Sequence, residues 1–183
     1  MYKTLGSIVT DIKYILDDNV DDTINQQLIA LLSRCFTKPS DERFKVQRYY
    51  NEMPQHRWYI KSPSGDAIIA HLAVHEKTVR IGSQQALIGG VAEVCVHPDY
   101  RGHGYVKLLL KQAHNWMAQQ GYVYSVLFGR DEVYSSSGYE RVTNLYLVGE
   151  ETPARATSVS AMIAPLTDKK WPRFNVELKG LAF

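Results

Sequence analysis

The stretch from Gly89 to Trp116 constrains the fold more than any other part of the chain. Its first part, Val91 to Val96, is an apolar run bounded by two glycines and by His-Pro-Asp, and it predicts a strand with a definite end. A glycine-containing loop with Arg101 follows, and beyond it apolar residues recur at helical spacing. The stretch therefore predicts a strand, a glycine loop and a helix in immediate succession.

A glycine loop between a strand and a helix is suited to binding phosphate. Several unpaired backbone N–H groups point out of the helix start, which is also the positive end of the helix dipole. Two familiar phosphate motifs do not fit, because Lys107 stands where the dinucleotide fingerprint needs its third glycine and no P-loop Gly-Lys-Ser/Thr is present. For the glycines alone, a plain turn between strand and helix is the alternative interpretation.

The whole string VHPDYRGHGYVKLLL resembles motif A of the GNAT superfamily of acyl-CoA-dependent N-acetyltransferases. In that family the backbone amides of the loop hold the pyrophosphate of coenzyme A. The resemblance implies that acetyl-CoA is the co-substrate, and it implies a set of coenzyme-binding residues at the strand end and in the loop: Val94, Cys95, Val96, Arg101, Gly102, His103, Gly104, Tyr105 and Val106. Val106 departs from the family pattern, which usually has Gly or Ala at that position.

A second informative stretch, LFGRDEVYSSSGYERV, lies downstream of motif A. Asp131 can cap a short helix and Gly138 can end it. Tyr134, with Gly138 and an aromatic residue after it, is similar to the Y-x-x-x-G-F signature that follows motif A in GNAT enzymes. In the family this tyrosine lies by the coenzyme sulfur and is commonly the proton donor to the leaving thiolate. The resemblance implies that role for Tyr134, and a half-buried packing residue is the alternative.

The chemistry also requires an oxyanion donor and a base. A backbone N–H on the central strand, near Val94 to Val96, can serve as the donor. Glu93 is the only ionisable residue inside that strand, where a carboxylate either faces a cleft or has a buried partner. Some GNAT enzymes use a glutamate from this strand, often through water. Two hypotheses for Glu93 follow, a catalytic base and a structural partner of a neighbouring Arg or Lys. Cys95 is interpreted as a small core residue rather than a nucleophile.

The remaining pattern predicts the order of the elements. Asp21 to Thr23 can cap a helix that runs to Cys35, and a second short helix is predicted from Ser40 to about Tyr50. Strands are predicted over 7–16, 57–61, 67–74, 122–128, 139–148, 158–166 and 174–178, with a hairpin-like excursion over 77–87. The strand, helix, strand order around motif A predicts parallel pairing through a right-handed crossover. The fold class is α/β (α+β), a GNAT-type mixed twisted sheet of six to seven strands flanked by about four helices.

Length and composition narrow the classes of protein further. The chain has 183 residues, enough for one sizeable core, and we expect a single GNAT-like acetyltransferase domain over 1–183. A formal net charge of +2 gives no broad basic field, so no nucleic-acid partner is expected. No segment reads as a signal peptide or a membrane span. Cys35 and Cys95 lie in different elements and are expected to be free thiols in a cytoplasmic protein.

His71 and His75 are the one pair of residues that resembles a metal site. Four residues apart on a strand, they would share a face, but no third ligand accompanies them. We therefore interpret them as surface or core-edge histidines and expect no metal.

The predicted function is N-acetyltransfer from acetyl-CoA to a primary amine, by direct attack in a ternary complex. The acceptor, a small molecule or a protein amine, is not identified by the sequence, and a homodimer is left open. A different class of hypothesis is an acyl-CoA-binding sensor or interaction module without turnover. Tyr134 in its signature favours the enzyme, whereas Val106 and the uncertain base leave room for the sensor.

Overall fold

The computed structural model describes residues 10–150 and 155–183. Within this part of the chain eight strands are present: β1 (Ile12–Leu16), β2 (His56–Lys61), β3 (Ile68–Ile81), β4 (Gln84–Val96), β5 (Tyr124–Leu127), β6 (Glu140–Val148), β7 (Ala156–Pro165) and β8 (Val176–Lys179). They form one mixed sheet in the order β1-β2-β3-β4-β5-β7-β6-β8. The mixed α+β architecture is confirmed.

The strand count differs from the six to seven that the sequence predicts. The short strand β8 joins the sheet on both of its sides, parallel to β6 and antiparallel to the outer part of β3. The sheet therefore closes on itself through β3, β4, β5, β7, β6 and β8. Apolar side chains such as Val79, Val126 and Leu145 are buried together in the cluster that these strands share.

Three α-helices occur in the described residues: α1 (Asp22–Cys35), α2 (Tyr105–Gln119) and α3 (Asp131–Tyr134). Short 3₁₀ segments cover Asp17–Asn19, Pro39–Lys45, Pro98–Tyr100 and Ser135–Ser137. None of these helices is long and apolar enough to cross a membrane.

Helix α1 begins as its sequence predicts, because the Asp21 carboxylate accepts a hydrogen bond from Ile24 N at 2.8 Å. The predicted helix from Ser40 to about Tyr50 is wrong in type and length, since only a 3₁₀ segment over Pro39–Lys45 forms. In the residues that follow this segment, backbone carbonyls accept hydrogen bonds from arginine side chains rather than from the amides of a helix. Arg43 Nη1 donates to Tyr50 O at 2.7 Å.

Helices α1 and α2 cover opposite faces of the sheet. Successive side chains on a strand point to opposite faces, and Trp58 of β2 packs in the core cluster of α2 whereas Tyr59 packs in that of α1. The buried face of α2 carries the periodic apolar residues that the sequence indicates: Leu109, Leu110, Ala113 and Met117. Each of the larger side chains, the two leucines and the methionine, contributes about 1.5–3 kcal/mol on full burial.

Strands β3 and β4 form one long hairpin that includes the predicted excursion over 77–87. Its turn lies between Ile81 and Gln84, where Gly82 has φ +61°. The first strand is shorter than predicted, and residues 7–9 lie outside the described part of the chain. His71 and His75 of β3 are both buried, so the prediction of surface or core-edge histidines is wrong.

The segment β4-α2-β5 is the predicted crossover, and its parallel pairing is confirmed. Strands β4 and β5 pair only over Ile88–Gly90 and Tyr124–Val126. Beyond Gly90 the two strands part, and β4 continues to Val96 while pairing with β3 alone. The open edge of β4 faces the cleft described next.

Candidate active site

A cavity of about 800 Å³ lies where β4 and β5 part. Its lining comes from the end of α1, the end of β4, the glycine loop, the first turn of α2 and the segment from Phe128 to Tyr134. The structure brings together here all nine of the predicted coenzyme-binding residues, together with Tyr134: Val94, Cys95, Val96, Arg101, Gly102, His103, Gly104, Tyr105 and Val106. Cys35, Phe36 and Lys38 of the opposite wall were not predicted, because their position depends on how α1 packs.

The glycine loop has the backbone conformation that its sequence indicates. Gly102 (φ +80°) and Gly104 (φ +74°) both lie in the left-handed region, which L side chains rarely adopt. Gly104 is the N-cap of α2, and its carbonyl accepts the hydrogen bond from Leu108 N at 3.1 Å. The amides of the first turn, Tyr105 to Lys107, have no intrahelical acceptor and point out of the helix end. This geometry matches the requirements of a bound pyrophosphate.

The charge of the cavity also fits a phosphate-rich ligand. Four basic side chains belong to its lining: Lys38, Arg101, His103 and Arg130. No aspartate or glutamate of the described residues lines it. Arg101 is held at the strand end, where its Nε donates to Val96 O at 3.3 Å. The residues present therefore fit the diphosphate group of coenzyme A.

Tyr134 lines the same cavity as the glycine loop. It comes later in the sequence than the loop and lies on the short helix α3. Its ring contacts Gly129 directly and packs edge-on against Tyr139, with ring centroids 5.9 Å apart. Burial raises the pKa of Tyr134 above its ordinary value, Cys95 adds to the rise, and Arg130 opposes it. The phenol is therefore protonated at neutral pH and can donate a proton or a hydrogen bond into the cavity.

Glu93 lies in a bulge of β4, beside the cavity rather than in its lining. The register of the β3–β4 pairing shifts between His71 and Ala73, and Glu93 has φ +54°, a strained conformation for a side-chain-bearing residue. Its carboxylate accepts hydrogen bonds from Tyr50 N at 3.0 Å and from Arg57 Nη1 at 3.1 Å. The ion pair that one hypothesis predicted is thus present.

Glu93 belongs to a buried network of charged and polar groups. Arg57, fully buried on β2, donates from Nε to Asp17 at 2.6 Å and from Nη2 to Arg48 O at 3.0 Å. Arg48 also pairs with Asp17, at 2.7 Å. Burial raises the pKa of Glu93 to about 7. The positive charge of Arg57 opposes this rise only in part, because Arg57 is shared between two carboxylates. This network was not predicted from the sequence, although an arginine directly before the apolar run from Trp58 to Ile60 is a signal that could have indicated a buried charge.

The two cysteines meet in the cavity although they come from different elements. Both are free thiols, Cys35 at the end of α1 and Cys95 buried in β4. Cys35 Sγ lies 3.4 Å from Val96 O, the same carbonyl that Arg101 contacts. A hydrogen bond with Cys95 and the nearby Arg101 lower the pKa of Cys35 to about 7, whereas burial raises that of Cys95.

A smaller cavity of about 150 Å³ lies next to the first, on the side of Glu93. Its lining is mainly aromatic, with two carboxyl groups: Phe36, Asp41, Phe44, Tyr50, Ala92, Glu93 and Phe183. Across residues 10–150 and 155–183, no three His, Cys, Asp or Glu side chains come together in the manner of a metal site.

Comparisons with known proteins identify the family and the fold. A family model described as an acetyltransferase (GNAT) domain matches residues 18–142. The fold is similar to that of a GNAT family N-acetyltransferase (YhbS) from Escherichia coli in complex with CoA, with TM-score 0.69 and 17% identity over 97% of this chain and 93% of that chain. No curated protein matches the sequence.

Other solved structures share the fold with somewhat lower TM-scores. An acyl-CoA N-acyltransferase from Pseudomonas aeruginosa has TM-score 0.58 and 14% identity over 85% of this chain and 99% of that chain. Eis1 from Mycobacterium abscessus has TM-score 0.57 and 13% identity over 73% of this chain and 33% of that chain. The chain therefore spans about a third of the length of Eis1.

Proposed function

The chain belongs to the GNAT acetyltransferase family, and from this premise we propose that it moves an acetyl group from acetyl-CoA to a primary amine in a ternary complex. The observation that carries the proposal is the cavity where β4 and β5 part. It combines a glycine loop at a helix start, a basic lining and a protonated phenol. The proposed acetyl donor supplies a thioester, and the residues of this chain bind it, orient it and move protons.

The phosphate end of the coenzyme is assigned to the loop from Arg101 to Val106. The amides of the first turn of α2 would bind the pyrophosphate, with Arg101 and Lys38 close by as counter-charges. The side chains of Val94, Cys95 and Val96 would line the path toward the thioester. That the related YhbS structure is a complex with CoA supports this assignment.

The reacting end is assigned to the open edge of β4 and to Tyr134. Backbone N–H groups of β4 beyond Gly90 do not pair with β5, and one of them can stabilise the oxyanion that forms during attack. Tyr134 would donate its proton to the departing thiolate. A thiol has an ordinary pKa of about 8.5, so the thiolate is a good leaving group and a weak general acid is sufficient to protonate it. Most of the rate enhancement would come from holding the two substrates in line, for which about 7–11 kcal/mol is accessible.

Glu93 is proposed as the base, acting directly or through water. Its ordinary pKa of 4.5 is raised to about 7, which brings the carboxylate closer to the basicity that an amine proton requires. Burial is the cause, and Arg57 holds the carboxylate in place at the edge of the smaller cavity. A proton leaving an amine in that cavity would reach Glu93 without crossing the coenzyme site.

The alternative is a coenzyme-binding sensor without turnover. Val106 favours it, because this position in the first turn of α2 usually holds Gly or Ala in the family and a larger side chain lines the cavity here. The two functions differ in one respect, since only the enzyme releases free thiol in proportion to acetylated amine. We also propose a cytoplasmic location, because the chain carries two free thiols and no disulfide between them.

The test is a turnover assay on the purified protein with acetyl-CoA and a panel of primary amines. Thiol release is followed by colour development, and the acetylated amine is identified by mass spectrometry. We expect thiol and acetylated amine in equal amounts. Saturable CoA binding by calorimetry without any acetylated amine would replace the enzyme with the sensor.

A further inference from the structure

The smaller cavity has the chemical character of a site for a ring-shaped apolar group. The rings of Phe36 and Phe44 lie 5.0 Å apart and those of Phe44 and Tyr50 lie 5.8 Å apart, so they form a continuous aromatic wall. The ring of Phe183 belongs to the same lining. A cavity of about 150 Å³ holds a molecule the size of benzene. The cavity therefore matches one aromatic ring in both volume and surface.

This cavity adjoins the proposed coenzyme site. Phe36 lines both cavities. Strand β4 passes from one to the other, since Ala92 and Glu93 line the smaller cavity and residues 94–96 line the larger one. A nucleophile held against Ala92 and Glu93 is therefore next to the segment of β4 that we assign to the thioester.

Phe183 lies at the point where β4 and β5 part. Its ring lies on the backbone of Gly90, so close that a Cβ there would meet it at 2.6 Å. Its centroid is 5.1 Å from that of Phe128, which lines the larger cavity. The ring thus forms the part of the smaller cavity's lining that lies beside Gly90 and Phe128.

Asp41 gives the smaller cavity a carboxylate that can attract a positive charge. Asp41 is half-buried and accepts hydrogen bonds from Lys38 N at 3.1 Å and Ser40 Oγ at 3.2 Å. No Lys or Arg side chain in the described residues forms an ion pair with it. The guanidinium of Arg43 lies 4.1 Å from the centre of the Tyr50 ring, and Arg43 does not belong to the cavity's lining. One ammonium finds a carboxylate here, whereas a polycation would meet Arg43 as well.

We propose that the acceptor is an arylalkylamine, a primary amine carried on a short arm from one aromatic ring, and that the smaller cavity selects for it. This inference rests on the proposed acetyltransfer. The ring packs against Phe36, Phe44 and Tyr50, and the nitrogen points to Glu93.

The proposed reaction then balances as follows. The ammonium gives one proton to Glu93, and the nitrogen attacks the thioester carbonyl as the C–N bond forms and the C–S bond breaks. Tyr134 gives its proton to the leaving sulfur. The nitrogen sheds its second proton to water, Tyr134 regains one from water, and Glu93 releases its proton to water, so that amide, free thiol and one solvent proton are the products.

The first experiment compares acceptors at saturating acetyl-CoA. Phenethylamine should exceed butylamine, which has the same charge but no ring, by about tenfold in kcat/KM, equivalent to about 1.4 kcal/mol of additional binding. Spermidine and a lysine-containing peptide should be poorer than phenethylamine. Preference for the polyamine or the peptide would overturn the assignment while leaving acetyltransfer intact.

The second experiment fills the cavity. Ala92→Leu places a larger side chain against the aromatic wall and should raise the KM for phenethylamine at least tenfold, with little change in the KM for acetyl-CoA. Ala118→Leu makes the same substitution on the exposed face of α2 and should leave both values unchanged. An Ala92→Leu protein with an unaltered KM for phenethylamine would contradict the inference.

Direct binding separates failure of this inference from failure of the proposed function. Phenethylamine is titrated calorimetrically into the wild-type protein loaded with CoA, and into the Ala92→Leu variant. Saturable binding that the variant loses, without turnover by the wild type, upholds the cavity assignment and rejects acetyltransfer. Absence of binding to the loaded wild type overturns the inference whatever other amine is acetylated.

Discussion

His71 donates a hydrogen bond from Nδ1 to the backbone carbonyl oxygen of Glu93 across 3.0 Å. Its Nε2 must accept from Arg57, because a guanidinium can only donate, and the two nitrogens lie 3.1 Å apart. Burial, followed by the charge of Arg57, lowers the pKa of His71 to about 3. The imidazole is therefore neutral at physiological pH. Its two hydrogen bonds connect the buried Arg57 to the bulge in β4, beside the cavity.

This connection predicts a loss of stability when His71 is replaced. His71→Leu leaves an Arg57 N–H and the Glu93 carbonyl without their partner, and a buried group left unsatisfied costs about 1–3 kcal/mol. We expect the free energy of unfolding in urea to fall by about that amount. His71→Gln keeps one donor and one acceptor and should lose less. Equal losses in the two variants would mean that packing, not hydrogen bonding, explains the role of His71.

Glu93 predicts a pH dependence of activity. Because its pKa is raised to about 7, the proposed base is unprotonated only above that pH, and wild-type kcat/KM should fall on the acid side. Glu93→Gln cannot titrate, so the ratio of wild-type to variant kcat/KM should rise with pH and level off above about 7. Taking the ratio removes the titration of the amine substrate. The exposed substitution Glu132→Gln is the control, and a ratio independent of pH would make Glu93 purely structural.

The same shift predicts a stability effect of defined sign. A carboxyl whose pKa is raised by folding favours the folded state at low pH, and this contribution is lost as pH rises from about 4.5 through about 7. Over that window the wild type should lose stability relative to Glu93→Gln. Urea midpoints measured at pH 4.5 and 8 check this, and a difference that stays constant would contradict the raised pKa.

The site could be predicted from sequence where its residues are close together along the chain. The loop from Arg101 to Val106 and the segment containing Tyr134 are local motifs, and the structure places both in one cavity. The buried network could not be predicted, because Asp17, Arg57 and Glu93 come from three separated segments and meet only through tertiary packing.

For the fold as well, elements that depend on nearby residues could be predicted from the sequence, whereas contacts between distant residues could not. The capped helix α1 and the β4-α2-β5 crossover follow from periodicity and end signals. The pairing of β8 with both β3 and β6 does not, because four residues of alternating pattern carry no information on which strand they join. The burial of His71 also depends on a partner distant in sequence, Arg57.

Gly104 predicts a test of the phosphate-binding loop. It has φ +74° and no neighbour within 4 Å of an added Cβ, so Gly104→Val strains the backbone of the loop without a steric clash. The Kd for CoA should rise at least tenfold by calorimetry. Gly65→Val is a matched control, with φ +77° and equally empty surroundings in the turn after β2. A similar Kd for CoA in the two variants would remove the loop from the coenzyme site.

We expect Cys35 to be alkylated selectively, and we expect bound coenzyme to prevent this reaction. A hydrogen bond with Cys95 and the charge of Arg101 lower the pKa of Cys35, so its thiolate fraction at neutral pH exceeds the few per cent of an ordinary thiol of pKa about 8.5. Lower nucleophilicity offsets only part of this gain, so iodoacetamide should react faster with Cys35 than with an unperturbed thiol. Peptide mass mapping should find the label at Cys35, and saturating CoA should suppress it. Labelling confined to Cys95, or unaffected by CoA, would contradict the placement of Cys35 beside the bound coenzyme.

Tyr134 predicts a loss of catalysis without a loss of structure. Tyr134→Phe keeps the ring that packs on Gly129 and Tyr139, so thermal stability and the Kd for CoA should change little. Burial holds the pKa of the hydroxyl above its ordinary value, so the phenol is protonated at neutral pH and has a proton to donate. Loss of a general acid costs about 10²–10⁴-fold in rate, and the loss should fall on kcat more than on KM. Tyr146→Phe on β6 is the control for removal of a hydroxyl. A Tyr134→Phe protein with wild-type kcat would exclude Tyr134 as the proton donor, whereas a loss below about tenfold would indicate a packing role.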